Sequence, residues 1–241
     1  MVNYKPVQSD YVWTMWLQDE IPELCEFCID SIKKFYPDVI IITEKNLENY
    51  LNLPDYIWEK YRNGMIMPSH FSDLVRSCLL AKYGGTWIDA TCYMTQPIPK
   101  HIIESEFFVL KNYKQNAVSS YFIHSTPNNY MMQALRDFQL EYWKKEIFPV
   151  DYFLFHYFLI LISKRDAKAK KIWQNIPIGL NDNTKIMFKV LFKDYDEDIY
   201  KWLCQTSYMH KLTYKHMDKD TNDKSLYRHL INNYRKNKKH N

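Results

Sequence analysis

Glycine is scarce in this 241-residue chain, which has four: Gly64, Gly84, Gly85 and Gly179. A dinucleotide fingerprint or a P-loop needs several glycines at fixed spacing, because backbone must come close to phosphate. Neither pattern fits, so nicotinamide-dependent and P-loop chemistry are excluded. Long apolar runs are missing too. The longest, Tyr152 to Ile162, contains His156 and falls short of the roughly 20 residues of a spanning helix. Acid is absent from the last eleven residues, which carry Arg235, Lys236, Lys238 and Lys239. These four equal the whole excess of 32 Lys+Arg over 28 Asp+Glu, so the remainder of the chain is balanced. A balanced body argues against nucleic acid as a partner. The basic tail is expected to be a frayed, solvated end or a contact for anionic lipid headgroups.

Cysteine is limited to Cys25, Cys28, Cys78, Cys92 and Cys204. The odd number, and an N-terminus without a signal-peptide pattern, predict a reducing cytosol. Cys25 and Cys28 have the spacing of a zinc or redox half-site, but no second pair accompanies them. Both fall on the apolar face of a helix, so they read as core. What the chain has in quantity is apolar and aromatic residues, 46% and 17% of the total, enough to bury a core and exclude global disorder.

The pattern predicts an α/β protein. Tyr11–Leu17 alternates like a strand, residues 21–32 carry a helical stripe, and Asp38–Thr43 reads as a strand buried on both faces. Strand, helix, strand implies a parallel unit. A helix broken at Pro54 covers residues 46–61. Another runs from Ser69 to Tyr83, with Gly84 as its left-handed cap. Strands are expected at 86–88, 106–110 and 119–123, and helices at 127–145, 151–164, up to Trp173, and 222–237. No internal repeat, linker or domain boundary is evident, so a single domain is expected, with residues 1–97 as its binding part and 98–241 as its second side and closing segment.

On the helix from Ser69, Ser72, Arg76 and Asp73 form one polar patch beside the apolar stripe. Taken alone this is a surface ion pair. The next segment, Tyr83-Gly84-Gly85-Thr86-Trp87-Ile88-Asp89-Ala90-Thr91, changes that reading. Asp89 emerges at the carboxyl end of a sheet strand, where open α/β sheets bind ligands, and can hold a cation or a ribose hydroxyl.

His70-Phe71-Ser72-Asp73-Leu74-Val75-Arg76, Leu79-Leu80 and the segment from Tyr83 to Thr91 together resemble the nucleotide-sugar site of capsular polysaccharide synthesis proteins. These are bacterial relatives of glycosyltransferase family 32 and, more distantly, of the clostridial glucosylating toxins. Trp13-Thr14-Met15-Trp16-Leu17-Gln18, Ile21-Pro22-Glu23-Leu24, Thr43-Glu44-Lys45-Asn46 and Leu53-Pro54-Asp55-Tyr56-Ile57 resemble the same family. The likeness is strong over residues 11–97 and patchy beyond.

The resemblance implies a GT-A fold with a mostly parallel central sheet flanked by helices. It implies a UDP-sugar donor, retention of anomeric configuration and a lipid-linked oligosaccharide acceptor at the inner face of the plasma membrane. Asp73 and Arg76, with Ser72 and Ser119, would bind the donor sugar. Ser119 and Ser120 open a strand and border the acceptor side. Asp89 would be the first acid of an Asp-x-Asp motif, and Thr91 replaces the second. A Mn²⁺ or Mg²⁺ ion held by Asp89, Thr91 and His210 is therefore expected, with metal dependence left open by the missing carboxylate. Lys211 would neutralise phosphate. Of Trp13 and Trp16, one is expected to meet the base and the other the core, with Gln18 and Tyr83 nearby on the nucleotide. Asp151 either caps a helix or contacts the donor sugar. Asp89 and Asp151 are the candidate catalytic carboxylates, and no nucleophile is assigned. His156 reads as a core histidine. Rival readings are a non-catalytic nucleotide-sugar binder, and a sugar-phosphate transferase on the same scaffold.

Overall fold

The computed structural model describes residues 8–112, 117–177, 183–215 and 220–239. Gly179 and the last two residues of the basic tail lie outside them. In chain order the elements are β1 (Val12–Met15), α1 (Glu23–Phe35), β2 (Ile40–Ile42), α2 (Asp55–Arg62), α3 (Pro68–Tyr83), β3 (Gly85–Ile88), β4 (Cys92–Met94), α4 (Lys100–Ile103), β5 (Phe107–Asn112), β6 (Ala117–Ser125), α5 (Tyr130–Lys145), α6 (Leu154–Arg165), α7 (Ala167–Gln174), α8 (Ile186–Val190), α9 (Glu197–Thr206), β7 (Met209–Lys211) and α10 (Leu226–Lys238). They form two compact units, each assembled from three stretches of chain. The first takes Met1–Leu17, Ile40–Ile88 and Lys100–Gly179, and the second takes Gln18–Val39, Asp89–Pro99 and Leu180–Asn241.

The first unit is built on a five-stranded sheet of order β2-β1-β3-β6-β5. The expected α/β class holds, but the sheet is evenly mixed and not mostly parallel. β1 runs parallel to β2 and β3, whereas β6 is antiparallel to both β3 and β5. The reason is connection length: four residues separate β5 from β6, far too few for the crossover that parallel strands require. β2 also departs from expectation. It is an edge strand, and Ile40 and Ile41 are only half-buried while Ile42 is buried. Asn46 fixes the turn behind it, accepting from the Thr43 N–H at 2.8 Å and donating to the Ile41 carbonyl at 2.9 Å.

Gly84 and Gly85 join α3 to β3. Gly84 closes the helix, its N–H donating to the Leu80 carbonyl at 3.0 Å. Its φ of 66° is positive as expected, but its ψ of −154° lies outside the left-handed helical region. Such a backbone is open almost solely to glycine. At Gly85 a Cβ would stand 2.2 Å from the Tyr11 carbonyl oxygen. That carbonyl accepts from the Thr86 N–H at 2.8 Å, so the missing side chain is what lets β3 lie against β1.

The second unit packs α1 against β4 and α10, and α8 against β7. Its core includes Leu24, Cys28, Met187, Leu191, Leu203, Leu212 and Leu230. Cys25 and Cys28 are buried free thiols, as expected for core, and burial pushes the Cys25 thiol up to about 12. The basic tail corrects the expectation of a frayed end. It forms α10, on which Arg235 makes two 2.6 Å contacts to Glu23, Lys238 reaches Glu26 at 2.8 Å, and the Tyr234 hydroxyl donates to Asp30 at 2.7 Å. Acids on α1 thus pair Arg235 and Lys238, two of the four cations of the tail.

Candidate functional site

In the first unit the site grows from α3. Pro68 opens that helix, where its missing N–H costs nothing and its φ is preset. Buried residues then occur on every face from His70 to Ala81, so α3 is an interior helix. This decides the status of Arg76, whose exposure is 4%. The plainer expectation, a surface ion pair, is excluded. The guanidinium lies 4.9 Å from the Trp87 ring centre and 5.7 Å from that of Phe155. Nη1 donates to the Ser120 carbonyl at 2.8 Å and meets Asp73 Oδ1 at 3.0 Å, while Nη2 donates to Ser72 Oγ at 3.0 Å.

A buried cation of this kind is tolerable only when paired and hydrogen-bonded. Both terminal nitrogens meet named acceptors, so the Asp73 carboxylate is paired with a guanidinium that is itself held in place. Its side chain is 13% exposed, which leaves it the outward member of the pair. Fixed carboxylate and guanidinium groups are what hydroxyl-rich ligands require, since each hydroxyl both donates and accepts.

The sequence reading brought Ser72, Asp73 and Arg76 together, and the structure agrees. It missed Trp87, Phe155 and the Ser120 carbonyl. Trp87 lay inside the quoted segment, but nothing in a strand pattern shows which face meets a guanidinium. Ser119 is buried on β6, and its neighbour Ser120 touches Arg76 through main chain.

The aromatic candidates divide as one core and one accessible residue. Trp13 is wholly buried, its indole N–H donates to the Gly84 carbonyl at 2.9 Å, and the rings of Tyr11, Tyr50 and Tyr83 surround it at 5.0–5.6 Å. It is therefore the core member. Trp16 is half-buried just past β1, held by its N–H to the Ile42 carbonyl at 3.0 Å. Tyr83 belongs to the aromatic cluster around Trp13, with its hydroxyl on the Tyr50 carbonyl at 2.9 Å. Asp151 is exposed and accepts from the Phe153 N–H at 2.7 Å in a turn before α6, whose N-cap is Phe153. Asp151 is therefore not the cap. His156 is half-buried within α6.

In the second unit, Asp89 follows β3 directly and opens a tight turn closed by the Cys92 N–H on the Asp89 carbonyl at 2.8 Å. Asp89 and Thr91 occupy that turn. β4 then pairs with β7 so that Cys92 faces Lys211, and the Leu212 N–H donates to the Thr91 carbonyl at 2.8 Å. This register places Lys211 Nζ at 2.6 Å from both Asp89 Oδ2 and Thr91 Oγ1. The side chains of Lys211 and Asp89 are 26% and 22% exposed. His210, one residue earlier on β7, has its imidazole elsewhere: Nε2 lies 3.0 Å from the Leu203 carbonyl, and burial holds its pKa down at about 4. Gln18, also in this unit, is exposed.

The expected metal shell does not fit this arrangement. Asp89 and Thr91 are brought together, but an ammonium already binds both oxygens, and His210 is turned to a carbonyl. Among the described residues no group of three or more His, Cys, Asp or Glu side chains is placed to hold an ion. A hard divalent cation needs several oxygens, and one carboxylate shared with an ammonium supplies too few.

No curated protein matches the sequence. Among solved structures, the PaToxG glycosyltransferase is similar at 13% identity and a TM-score of 0.44, over 70% of this chain and 75% of that one. That likeness is too loose to transfer residue roles. The family described as "Capsular polysaccharide synthesis protein" matches residues 2–230. This bears out the resemblance read from the motifs around α3 and β3, and with it the enzyme class, a glycosyltransferase. The chain belongs to the capsular polysaccharide synthesis protein family.

Proposed function

We propose that this glycosyltransferase moves a hexose or N-acetylhexosamine from a UDP-sugar to a lipid-linked oligosaccharide, with retention of configuration, at the cytoplasmic face of a membrane. The observation that carries the reading is the buried Arg76, held by Ser120, Ser72 and two rings and paired with Asp73. A carboxylate so fixed suits donor-sugar hydroxyls. The Lys211 ammonium, carried on β7 and bound to Asp89, suits the charge that develops on a leaving diphosphate. Trp16 offers an aromatic ring for a base.

Support for a lipid-borne acceptor comes from the surface of the first unit. Phe148, Val150, Phe153, Tyr157 and Leu161 are each at least half exposed. The last three fall at i, i+4 and i+8 along one face of α6 and its N-cap, and Lys164 and Arg165 close the stripe. Scattered apolar residues are ordinary on a surface, but a stripe ending in cations matches an anionic lipid surface. No helix among the described residues is long and apolar enough to cross a membrane.

The test is a melting-temperature screen with UDP-glucose, UDP-galactose, UDP-GlcNAc, UDP-GalNAc and UDP itself, followed by an assay for UDP release. A bound donor raises the melting temperature through linkage. We expect one UDP-sugar to stabilise the protein more than UDP does, and Asp73→Asn to erase that difference while leaving the UDP effect. Stabilisation by none of them, or an Asp73→Asn protein that keeps the sugar increment, refutes the reading. Release of UMP in place of UDP selects sugar-phosphate transfer.

A further inference from the structure

We propose that the Lys211 ammonium takes the place of a divalent cation, so that Asp89 and Thr91 aim a fixed positive charge at a nucleoside diphosphate and donor binding needs no metal. The inference rests on the donor reading above and deepens it by naming the group that meets the phosphates.

Three observations in the second unit carry it. First, Lys211 Nζ makes 2.6 Å contacts to both Asp89 Oδ2 and Thr91 Oγ1, the two side chains that an Asp-x-Asp pattern would present to an ion. Charge-assisted contacts this short are the strong kind. Second, the ammonium is placed by main-chain geometry. The turn bond from Cys92 to Asp89, the Cys92–Lys211 register and the Leu212–Thr91 hydrogen bond hold both ends of the contact. Third, the neighbouring histidine is not a ligand, because its Nε2 meets the Leu203 carbonyl and its ring is wholly buried.

Charge counting agrees. An Asp-x-Asp pair carries two negative charges and matches a divalent ion. Here Thr91 is neutral, so one carboxylate matches one ammonium. A cation with two charges would have to displace Lys211 or sit beside it, and like charges repel at that range. The partial exposure of Lys211 leaves the ammonium within reach of a phosphate oxygen arriving from solvent. An ammonium is a compact point charge suited to phosphate, and it needs no coordination geometry.

The test uses UDP, with GDP and CDP beside it, and the full chain. Affinity is measured by calorimetry in EDTA and again with Mn²⁺ or Mg²⁺, and Mn²⁺ binding alone is followed by electron spin resonance. We expect UDP affinity to be the same within about twofold in both buffers and no Mn²⁺ uptake by the native chain. Lys211→Gln should weaken UDP about tenfold or more, the scale of one charged hydrogen bond. Lys211→Arg should retain most of the affinity. UDP binding that appears only with metal, or Lys211→Gln with native affinity, overturns the inference while leaving the donor reading intact. If no nucleoside diphosphate binds in either buffer, both fall together. The EDTA comparison on the native protein holds even if a variant does not fold.

Discussion

The guanidinium carbon of Arg76 lies 4.9 Å from the centre of the Trp87 ring, which follows it by about two turns of helix and part of a strand in the same unit. Arg76 is thus an interior residue, and its pairing with Asp73 is a structural matter before it is a chemical one. Arg76→Met leaves the Asp73 carboxylate without its partner in a poorly solvated place. The expected cost is about 3 kcal/mol, against a few tenths for an exposed i,i+3 pair. Urea unfolding measures the difference, and a loss below about 1 kcal/mol would return Arg76 to the surface. Donor binding is better probed at Asp73, the more exposed member.

Gly85 and Gly64 form a natural comparison. Both have positive φ, 91° and 72°. A Cβ at Gly64 meets nothing within 4 Å, whereas at Gly85 it meets the Tyr11 carbonyl at 2.2 Å. Gly64→Ala should cost about 1 kcal/mol, the backbone term alone. Gly85→Ala should cost more than about 3 kcal/mol, because β3 must move off β1. Equal melting temperatures for the two variants would mean that the close approach of β3 to β1 is not what Gly85 is there for.

These contrasts mark what a sequence can reveal. The helix from Pro68 to Tyr83, its glycine stop and the acid after β3 are contiguous, so local pattern suffices for them. Lys211 and Asp89 are 122 residues apart and joined through three-residue strands, too short for alternation to register. The fate of Trp13 and Trp16 was likewise hidden. Both follow one strand pattern, and only the rings of Tyr11, Tyr50 and Tyr83 decide that Trp13 is the buried one. The pairing of Arg235 and Lys238 is hidden from local pattern because their acids lie on α1, at the other end of the chain.

Two buried histidines set an acid limit on stability. Burial holds His124 and His210 at about 4, where an unfolded histidine titrates near 6.5. His124 Nδ1 lies 2.9 Å from Thr86 Oγ1, and His210 Nε2 faces a carbonyl. Between those two pKa values the unfolded chain binds more protons, so stability rises with pH. The contribution is complete above about pH 6.5 and is lost as pH falls toward 4. Each histidine can supply at most about 3 kcal/mol of that slope. Urea midpoints at pH 7, 6 and 5 should fall steadily in the native chain and less steeply in His210→Gln. A variant with the native slope would mean that His210 keeps its proton when buried.

Membrane contact is expected from α6 and the loop before it, and not from the basic tail. Deleting residues 232–241 removes the Arg235–Glu23, Lys238–Glu26 and Tyr234–Asp30 contacts. Exposed ion pairs contribute little each, so the loss of stability should be modest. Binding to vesicles containing phosphatidylserine should be unchanged by that deletion. The double variant Phe153→Glu, Leu161→Glu puts two carboxylates on the apolar stripe while leaving the buried side of α6, with Leu159 and Ile162, untouched. It should abolish sedimentation with those vesicles and preserve the melting temperature within a few degrees. Binding in the native chain should weaken as salt is raised, because Lys164 and Arg165 meet the headgroups through screened charge. If truncation of the tail releases the protein and the α6 variant does not, the lipid contact belongs to α10.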